Sequence, residues 1–281
     1  MKRLQIIDST TITLFSNLLF KGVGRHPKTG KKKGGIKVHT VIHANEGVPS
    51  DIKFTSAATN DSFMLKPATL NKGDIMAMDR AYIDYEKFQQ LTERGVIYVT
   101  KMKKNLRYNV LSDTMYQTAD GLMEVRIQHV EFFKQVKGGE TILHKSRIIT
   151  YADIKKHKLI SLLTNDMDAD PSEIIAIYRQ RWEIELLFKQ IKQNFPLKYF
   201  YGESANAIKI QIWVTLIANL LLMVMQKGLT RHWSFSGLAT MMRITLMYYV
   251  DFYSLFDNPE KDWEMLLSET KAPPHEPSLF D

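Results

Sequence analysis

Tyr178, Arg181, Glu185 and Lys192 are residue types that can handle a phosphodiester. A carboxylate can hold a divalent cation, two cationic side chains can grip phosphate oxygens, and a phenol can hydrogen-bond to phosphate or stack on a base. Their spacing puts them together. On a helix turning ~100° per residue, with Tyr178 at zero, Arg181 lies near ~−60°, Glu185 near ~−20° and Lys192 near ~−40°. The four share one stripe about 60° wide, while Glu183 falls on roughly the opposite side. The apolar arc of Ile177, Ile184, Leu187, Phe188 and Ile191 starts beside that stripe, so Glu185 borders a core. Taken alone, the stripe also fits an ordinary solvated helix.

Other carboxylates give Glu185 something to do. Asp8 follows "LQII" and Asp79 follows "IMAM", each an acid ending an apolar strand, where it is costly to bury unless paired or metal-bound. Two adjacent parallel strands and one packed helix would gather Asp8, Asp79 and Glu185 around two Mg²⁺ ions. Two such ions ~4 Å apart hold the attacking and leaving oxygens of an in-line phosphodiester displacement. Arg181 and Lys192 would then contact phosphates, and Tyr178 a phosphate, sugar or base.

The bulk of the chain agrees with a polyanionic partner. Its 281 residues carry a formal net charge of +8, placed unevenly. From Ser9 to Asn45 there is no acid, yet Lys21, Arg25, Lys28, Lys31, Lys32, Lys33 and Lys37 fall there. A second acid-free stretch, Gly95 to Ser112, holds Lys101, Lys103, Lys104 and Arg107. Such blocks suit nucleic acid, although any one of them equally suits a solvated loop. With no cysteine, disulfides, zinc thiolates and cysteine nucleophiles are excluded, and a reducing compartment fits. No signal peptide is visible. The run "IWVTLIANLLLMVM", Ile212 to Met225, is shorter than the ~20 residues of a bilayer span and reads as a buried core helix. His39 and His43 sit in strand-like sequence and read as structural or substrate-adjacent. The lysines around Gly30, Gly34 and Gly35 do not form a phosphate-loop motif, and a flexible DNA-contacting loop is the better reading.

The elements that must position these residues follow from pattern. "LQIID", "TITLF", "IKVHTVIH" and "IKFTSA" read as strands, Asp61 to Leu70 as a helix capped by Asn60 or Asp61, "DIMAMD" as a short buried strand, "DYEKFQQLTERG" as a helix started at Asp84 and stopped by Gly95, and "VIYVT" as a strand. Then come the strands "LMEVRIQHVEFF", "TILHKSRIITYA" and "KLISLLTN", with Gly138 and Gly139 as a turn. From Asp170 (N-cap) and Pro171 the pattern is helical. The alternation predicts an α/β fold, a mixed sheet flanked by helices.

These motifs together resemble the bacterial DDE transposases of the insertion-sequence-four type. Their signature of Tyr, two residues, Arg, three residues, Glu, six residues, Lys is matched at every spacing by Tyr178, Arg181, Glu185 and Lys192. "MDRAYIDYEKFQQL" resembles the second-aspartate motif, with Arg80 and Tyr82 after Asp79 and Ala81 where glycine is common. "IIDSTTI" resembles the first, and "GGIKVHTVIH" the strand after it. The resemblance implies a ribonuclease-H-like core with a β-rich insertion before the catalytic-glutamate helix. The corresponding segments are 1–105 (first part of the core), 106–169 (insertion), 170–255 (catalytic-glutamate helix and further helices) and 256–281 (a C-terminal segment with a partly disordered tail).

It further implies strand cleavage and strand transfer at the ends of an insertion sequence, catalysed by Asp8, Asp79 and Glu185 with two Mg²⁺ or Mn²⁺ ions. DNA contacts fall to Tyr178, Arg181, Lys192, Arg80, Lys31, Lys32, Lys33, Lys101, Lys103 and Lys104. The expected partners are transposon ends and target DNA, bound by a homodimer in the bacterial cytoplasm and nucleoid, with no membrane partner. Two departures stand out. Seven residues precede Asp8, so the expectation is a chain without the usual N-terminal DNA-binding region. Relatives that pass through a DNA hairpin hold a flipped base with a tryptophan in the insertion, whereas Trp182, Trp213, Trp233 and Trp263 all lie outside it. Tyr116, Phe132 or Phe133 would have to substitute, against a plain packing role. A nuclease without strand transfer and an inactive DNA-binding remnant remain as alternatives.

Overall fold

The computed structural model describes residues 3–14, 24–25, 34–119, 121, 123–135, 141–153, 157–246 and 251–261. Lys31, Lys32 and Lys33, the Gly138–Gly139 turn, Trp263 and the tail beyond 261 lie outside them. The chain divides into two compact units, residues 1–189 with 197–209, and residues 190–196 with 210–281.

The first unit is built on a sheet whose described strands are β1 (Leu4–Thr13), β2 (Gly24–Arg25), β3 (Gly34–His43), β4 (Val48–Ser56), β5 (Ile75–Met78), β6 (Ile97–Lys101), β7 (Asn109–Gln117), β8 (Glu124–Gln135), β9 (Thr141–Asp153) and β10 (Lys158–Thr164). Their order is β2-β3-β1-β5-β6-β10-β9-β8-β7, with β4 also paired to β3. Most neighbours are antiparallel, but β1, β5 and β6 run parallel at the centre. Their parallel stretches, Leu4–Ile7, Ile75–Met78 and Ile97–Thr100, are rich in Ile, Met and Val and mostly buried, as parallel strands covered on both faces must be.

Alternation divides the core into two layers. Ile7, Met78, Tyr98, Ile148 and Leu163 face one way, packing with Phe88 and Leu91 of helix α1 (Tyr85–Glu93). Val99, Ile149 and Leu162 face the other way, packing with Ile174 and Ile175 of helix α2 (Pro171–Gln180). Phe88 stacks on Tyr98 at 4.0 Å between ring centroids, and full burial of such a side chain contributes about 1.5–3 kcal/mol. Asp84 caps α1 by accepting from the Glu86 amide. Gly95, at φ +68°, ends that segment in the left-handed region that glycine enters without strain.

Three sequence expectations are corrected. Residues 61–70 form two short 3₁₀ turns, Asp61–Met64 and Pro67–Thr69, rather than one helix. Pro67 removes an amide donor and pushes Lys66 into extended geometry, which an α-helix cannot cross. The helix carrying Tyr178 and Glu185 is two segments, α2 and α3 (Trp182–Asn194), joined at Arg181. Its φ of −52° and ψ of −24° stay close to helical, so the stripe survives the joint. Third, the apolar run lies in helix α4 (Ala205–Gly228). Only one side is buried, through Ile208, Ile212, Leu216 and Leu222, while Ile210, Val214, Ile217, Leu221 and Val224 are 52–68% exposed. By length and composition alone α4 is apolar enough to cross a membrane.

The second unit holds its own small core. Leu222, Leu238 and Phe256 pack with Phe195, Trp233 and Phe252, and the Trp233 indole donates to the Phe256 carbonyl at 2.7 Å. Helices α5 (Phe235–Thr245) and α6 (Phe252–Asp257) begin at Ser234 and Asp251, whose side chains accept from backbone amides of the first turn.

Candidate active site

Asp8 and Asp79 reach the same end of the sheet because of register. β1 and β5 are matched Ile7 to Met78, and β5 and β6 are matched Met78 to Thr100. The next residue on each strand is Asp8, Asp79 and Lys101. Since Ile7 and Met78 point toward α1, all three successors point toward α2. Asp8 lies within the long strand β1, opposite Thr40 of β3. Asp79 ends β5 and caps the 3₁₀ turn Arg80–Tyr82 by accepting from the Arg80 amide.

Arg181 meets them from the helical side. Its Nη2 donates to Glu185 Oε1 at 2.6 Å, and its Nη1 lies 3.5 Å from Asp8 Oδ2. One guanidinium thus bridges two of the acids, over the Tyr178 ring at 5.5 Å. The i, i+3 and i, i+4 contacts expected of one helix face are present. Asp8 also accepts from the Ser9 amide at 2.7 Å.

Electrostatically the cluster is short of positive charge. Burial pushes the Asp8 carboxyl up to about 6; the Ser9 amide and Arg181 oppose that shift, and Asp79 and Glu185 add to it. Burial also raises the Tyr178 phenol, which Arg181 opposes and Asp79 reinforces. For Arg181, burial alone would lower the pKa, but Glu185, Tyr178 and Asp8 outweigh it and raise it. A carboxylate whose neighbours are carboxylates in a low-dielectric site favours a bound cation or a proton.

That bears on a metal. Among the described residues, no three His, Asp or Glu side chains are gathered closely enough to hold an ion as they stand. Arg181 lies between two of the acids. The donor chemistry fits nonetheless: hard carboxylate oxygens, one of them protonated well above its usual range, around a guanidinium that occupies a cation's place.

Asp79 and Arg181 open onto a cleft of about 810 Å³ lined also by Arg80, Lys101, Tyr151, Tyr178, Arg179 and Trp182, among others. Of these, Asp79, Arg80, Lys101, Tyr178 and Arg181 are expected from the sequence. Nothing in the sequence marks Arg179, Tyr151 and Trp182, because cleft membership depends on how α2 packs over the sheet. Lys103 and Lys104 lie on the turn leaving β6, away from that lining. Lys192 is exposed on the part of α3 that belongs to the second unit. Of the candidate base-holding aromatics, Phe132 is fully buried and stacks on Tyr85 at 4.7 Å, a packing role. Phe133 and Tyr116 are exposed, and the Tyr116 hydroxyl donates to Asp170 at 3.3 Å. His39 is fully buried, bonded through Nε2 to Thr55 at 2.7 Å.

The chain matches the model of the transposase DDE domain family over residues 1–221. It is 29% identical over 223 residues to a putative transposase of Sinorhizobium fredii, covering 79% of this chain and 60% of that one. It is 25% identical over 222 residues to a probable transposase for insertion sequence element IS5377 of Geobacillus stearothermophilus, covering 79% and 56%. The chain therefore spans a little over half the length of the curated relatives it matches. Its fold is similar to that in a cryo-EM structure of the piggyBac transposase synaptic complex with hairpin DNA, at TM-score 0.51 and 12% identity, covering 99% of this chain and 59% of that one.

Proposed function

The chain belongs to the transposase DDE domain family, and from that premise we propose that it carries the catalytic centre of an insertion-sequence-four-type transposase, which cleaves DNA at the ends of an insertion sequence and joins them to target DNA. The observation that carries this reading is the bridge from Asp8 through Arg181 to Glu185, with Asp79 raising the Asp8 pKa. Asp8, Asp79 and Glu185 would hold two Mg²⁺ or Mn²⁺ ions, which when bound supply the Lewis acidity for an in-line phosphodiester displacement. The strand order β4-β3-β1-β5-β6 supports a ribonuclease-H-like core, with residues 106–169 as its insertion.

The chain's own groups have separable tasks. Asp8, Asp79 and Glu185 would hold the ions at the mouth of the parallel strands, and their own carboxylates fix where a reacting phosphate would sit. Arg181 turns from the carboxylates to a phosphate oxygen once the acids are otherwise neutralised, a bidentate grip suited to its planar fork. Arg80, Lys101 and Arg179 extend the positive lining of the cleft along a DNA strand, and Tyr178 and Tyr151 offer ring faces and hydroxyls to sugar or base. Lys192, on the stripe predicted for α3, grips a further phosphate. DNA ends, target and a homodimer on paired ends complete the proposal.

The test is a donor-end cleavage and joining assay with Mg²⁺. Asp8→Ala, Asp79→Ala and Glu185→Ala each abolish cleavage, and Glu183→Ala retains it. Activity surviving Glu185→Ala would sink the assignment. Cleavage without joining would indicate a nuclease, and DNA binding alone a remnant.

A further inference from the structure

A second polar cluster sits behind β1, on the face opposite Asp8. The β1–β3 register places Ser9 against His39 and Thr11 against Lys37, so Ser9, His39 and Lys37 project from that rear face. Asp61, first residue of the 3₁₀ turn after β4, meets all three with a single oxygen. Its Oδ1 accepts from the Ser9 hydroxyl at 2.7 Å and lies 3.2 Å from Lys37 Nζ and 3.5 Å from His39 Nδ1. Burial pushes His39 down to about 4, so the ring is neutral near pH 7 and Lys37 is the cation opposite Asp61. Tyr82, fully buried, has its phenol raised by burial and then by Asp61, Asp8 and Asp79.

The turn bearing Asp61 is anchored on its own account. The Asn60 side chain accepts from the Ser62 amide, and Lys87 Nζ donates to the Ser62 carbonyl. Ser9 joins the two faces. Its hydroxyl is fixed by Asp61 behind the strand, while its backbone amide donates to Asp8 Oδ1 in front at 2.7 Å.

We propose that Asp61 is a positioning residue for the carboxylate site: through the Ser9 hydroxyl it sets the strand geometry that presents Asp8 to a divalent cation. This rests on the metal-site reading above. Outer groups that orient a ligand typically alter metal affinity by about 10–100-fold, whereas a clasp that only ties a turn to a strand alters stability alone.

The experiment measures Mn²⁺ binding to the 281-residue chain by electron paramagnetic resonance of the free ion, with thermal melts beside it. Asp61→Asn and Ser9→Ala each weaken Mn²⁺ binding about tenfold. The double variant is no weaker than either alone, since both break one route, and Ser9→Thr, which keeps the hydroxyl, retains wild-type affinity. Wild-type affinity in Asp61→Asn, additive losses in the double variant, or loss in Ser9→Thr overturns the proposal. If Asp61→Asn does not fold, Ser9→Ala decides: unchanged affinity there also overturns it. Wild-type binding by Asp8→Asn would instead overturn the metal-site reading, and this proposal with it.

Discussion

Among the described residues of the first unit, Arg126 and Arg181 each hold carboxylates, and they sit in opposite circumstances. Arg126 on β8 grips Asp113 on β7 through Nε at 2.8 Å and Nη2 at 2.5 Å, with both side chains well exposed. The Arg126 hydrogen bond holds the Asp113 carboxyl below its usual range. One charge meets one opposite charge in water, and nothing is left over. Arg181 is nearly buried and shared between Asp8 and Glu185. Yet Asp8 is pushed up to about 6, chiefly by burial, because one guanidinium does not offset desolvation together with two further acids. The presence of an ion pair therefore says little about function. A buried cluster with unbalanced charge says more, because it needs a proton or a ligand to complete it.

Removing an acid from the buried cluster has the largest expected effect. Glu185→Gln is expected to reduce donor-end cleavage by at least about a hundredfold, a typical scale for losing one transition-state electrostatic contact. Asp113→Asn is expected to leave cleavage unchanged in the same assay. Next in size is the effect of pH on metal binding and stability. Asp8 carries a native pKa of about 6 against 3.8 for the ordinary group. The proton-bound native state is favoured between those values, so this stabilisation is fully present below pH 3.8 and is lost as pH rises through 6. The loss is on the order of 3 kcal/mol. In urea melts of the metal-free chain, Asp8→Asn should flatten that dependence. Mn²⁺ affinity should run the other way, falling roughly tenfold per pH unit below about 6 as protons compete for Asp8.

Arg181→Ala comes third. Without metal, leaving Asp8 and Glu185 without their shared partner should cost about 2 kcal/mol in urea unfolding. Added Mn²⁺ should raise the melting temperature more in this variant than in the wild type. The smallest effect belongs to Arg126→Ala, for which neither melting temperature nor cleavage should change measurably, as is usual for an exposed pair.

Much of this was legible in the sequence because it depends on short-range rules. The apolar runs before Asp8 and Asp79 mark strands, but only Asp79 ends one: β1 continues through Asp8 to Thr13, joining the two segments that read as separate strands, because pairing with β3 carries the polar residues past Asp8. Helical spacing alone puts Arg181 beside Tyr178 and Glu185. The failures have local causes too. Pro67 was overlooked as a helix breaker in 61–70. β7 escaped notice because its residues are all exposed, so no buried-face alternation marks it, and pairing with β8 makes the strand. The two-sided apolar pattern of α4 was taken for full burial, although composition cannot say whether a second face finds a partner. Asp61 was placed in a supposed helix. Its meeting with Ser9, 52 residues away, depends on the return of β3 and β4 and leaves no trace in spacing.

The separation of Asp8 from Arg181 by 173 residues matters during synthesis. β1 is made before the neighbours it pairs with, β3 and then β5, while α2 and α3 follow every described strand of the sheet. Such non-local pairing is slow to form, on a scale of roughly milliseconds to seconds. It also means that a nascent or prematurely terminated chain can own both aspartates and still lack the residue that bridges Asp8 to Glu185. The centre exists only in a chain read through α3.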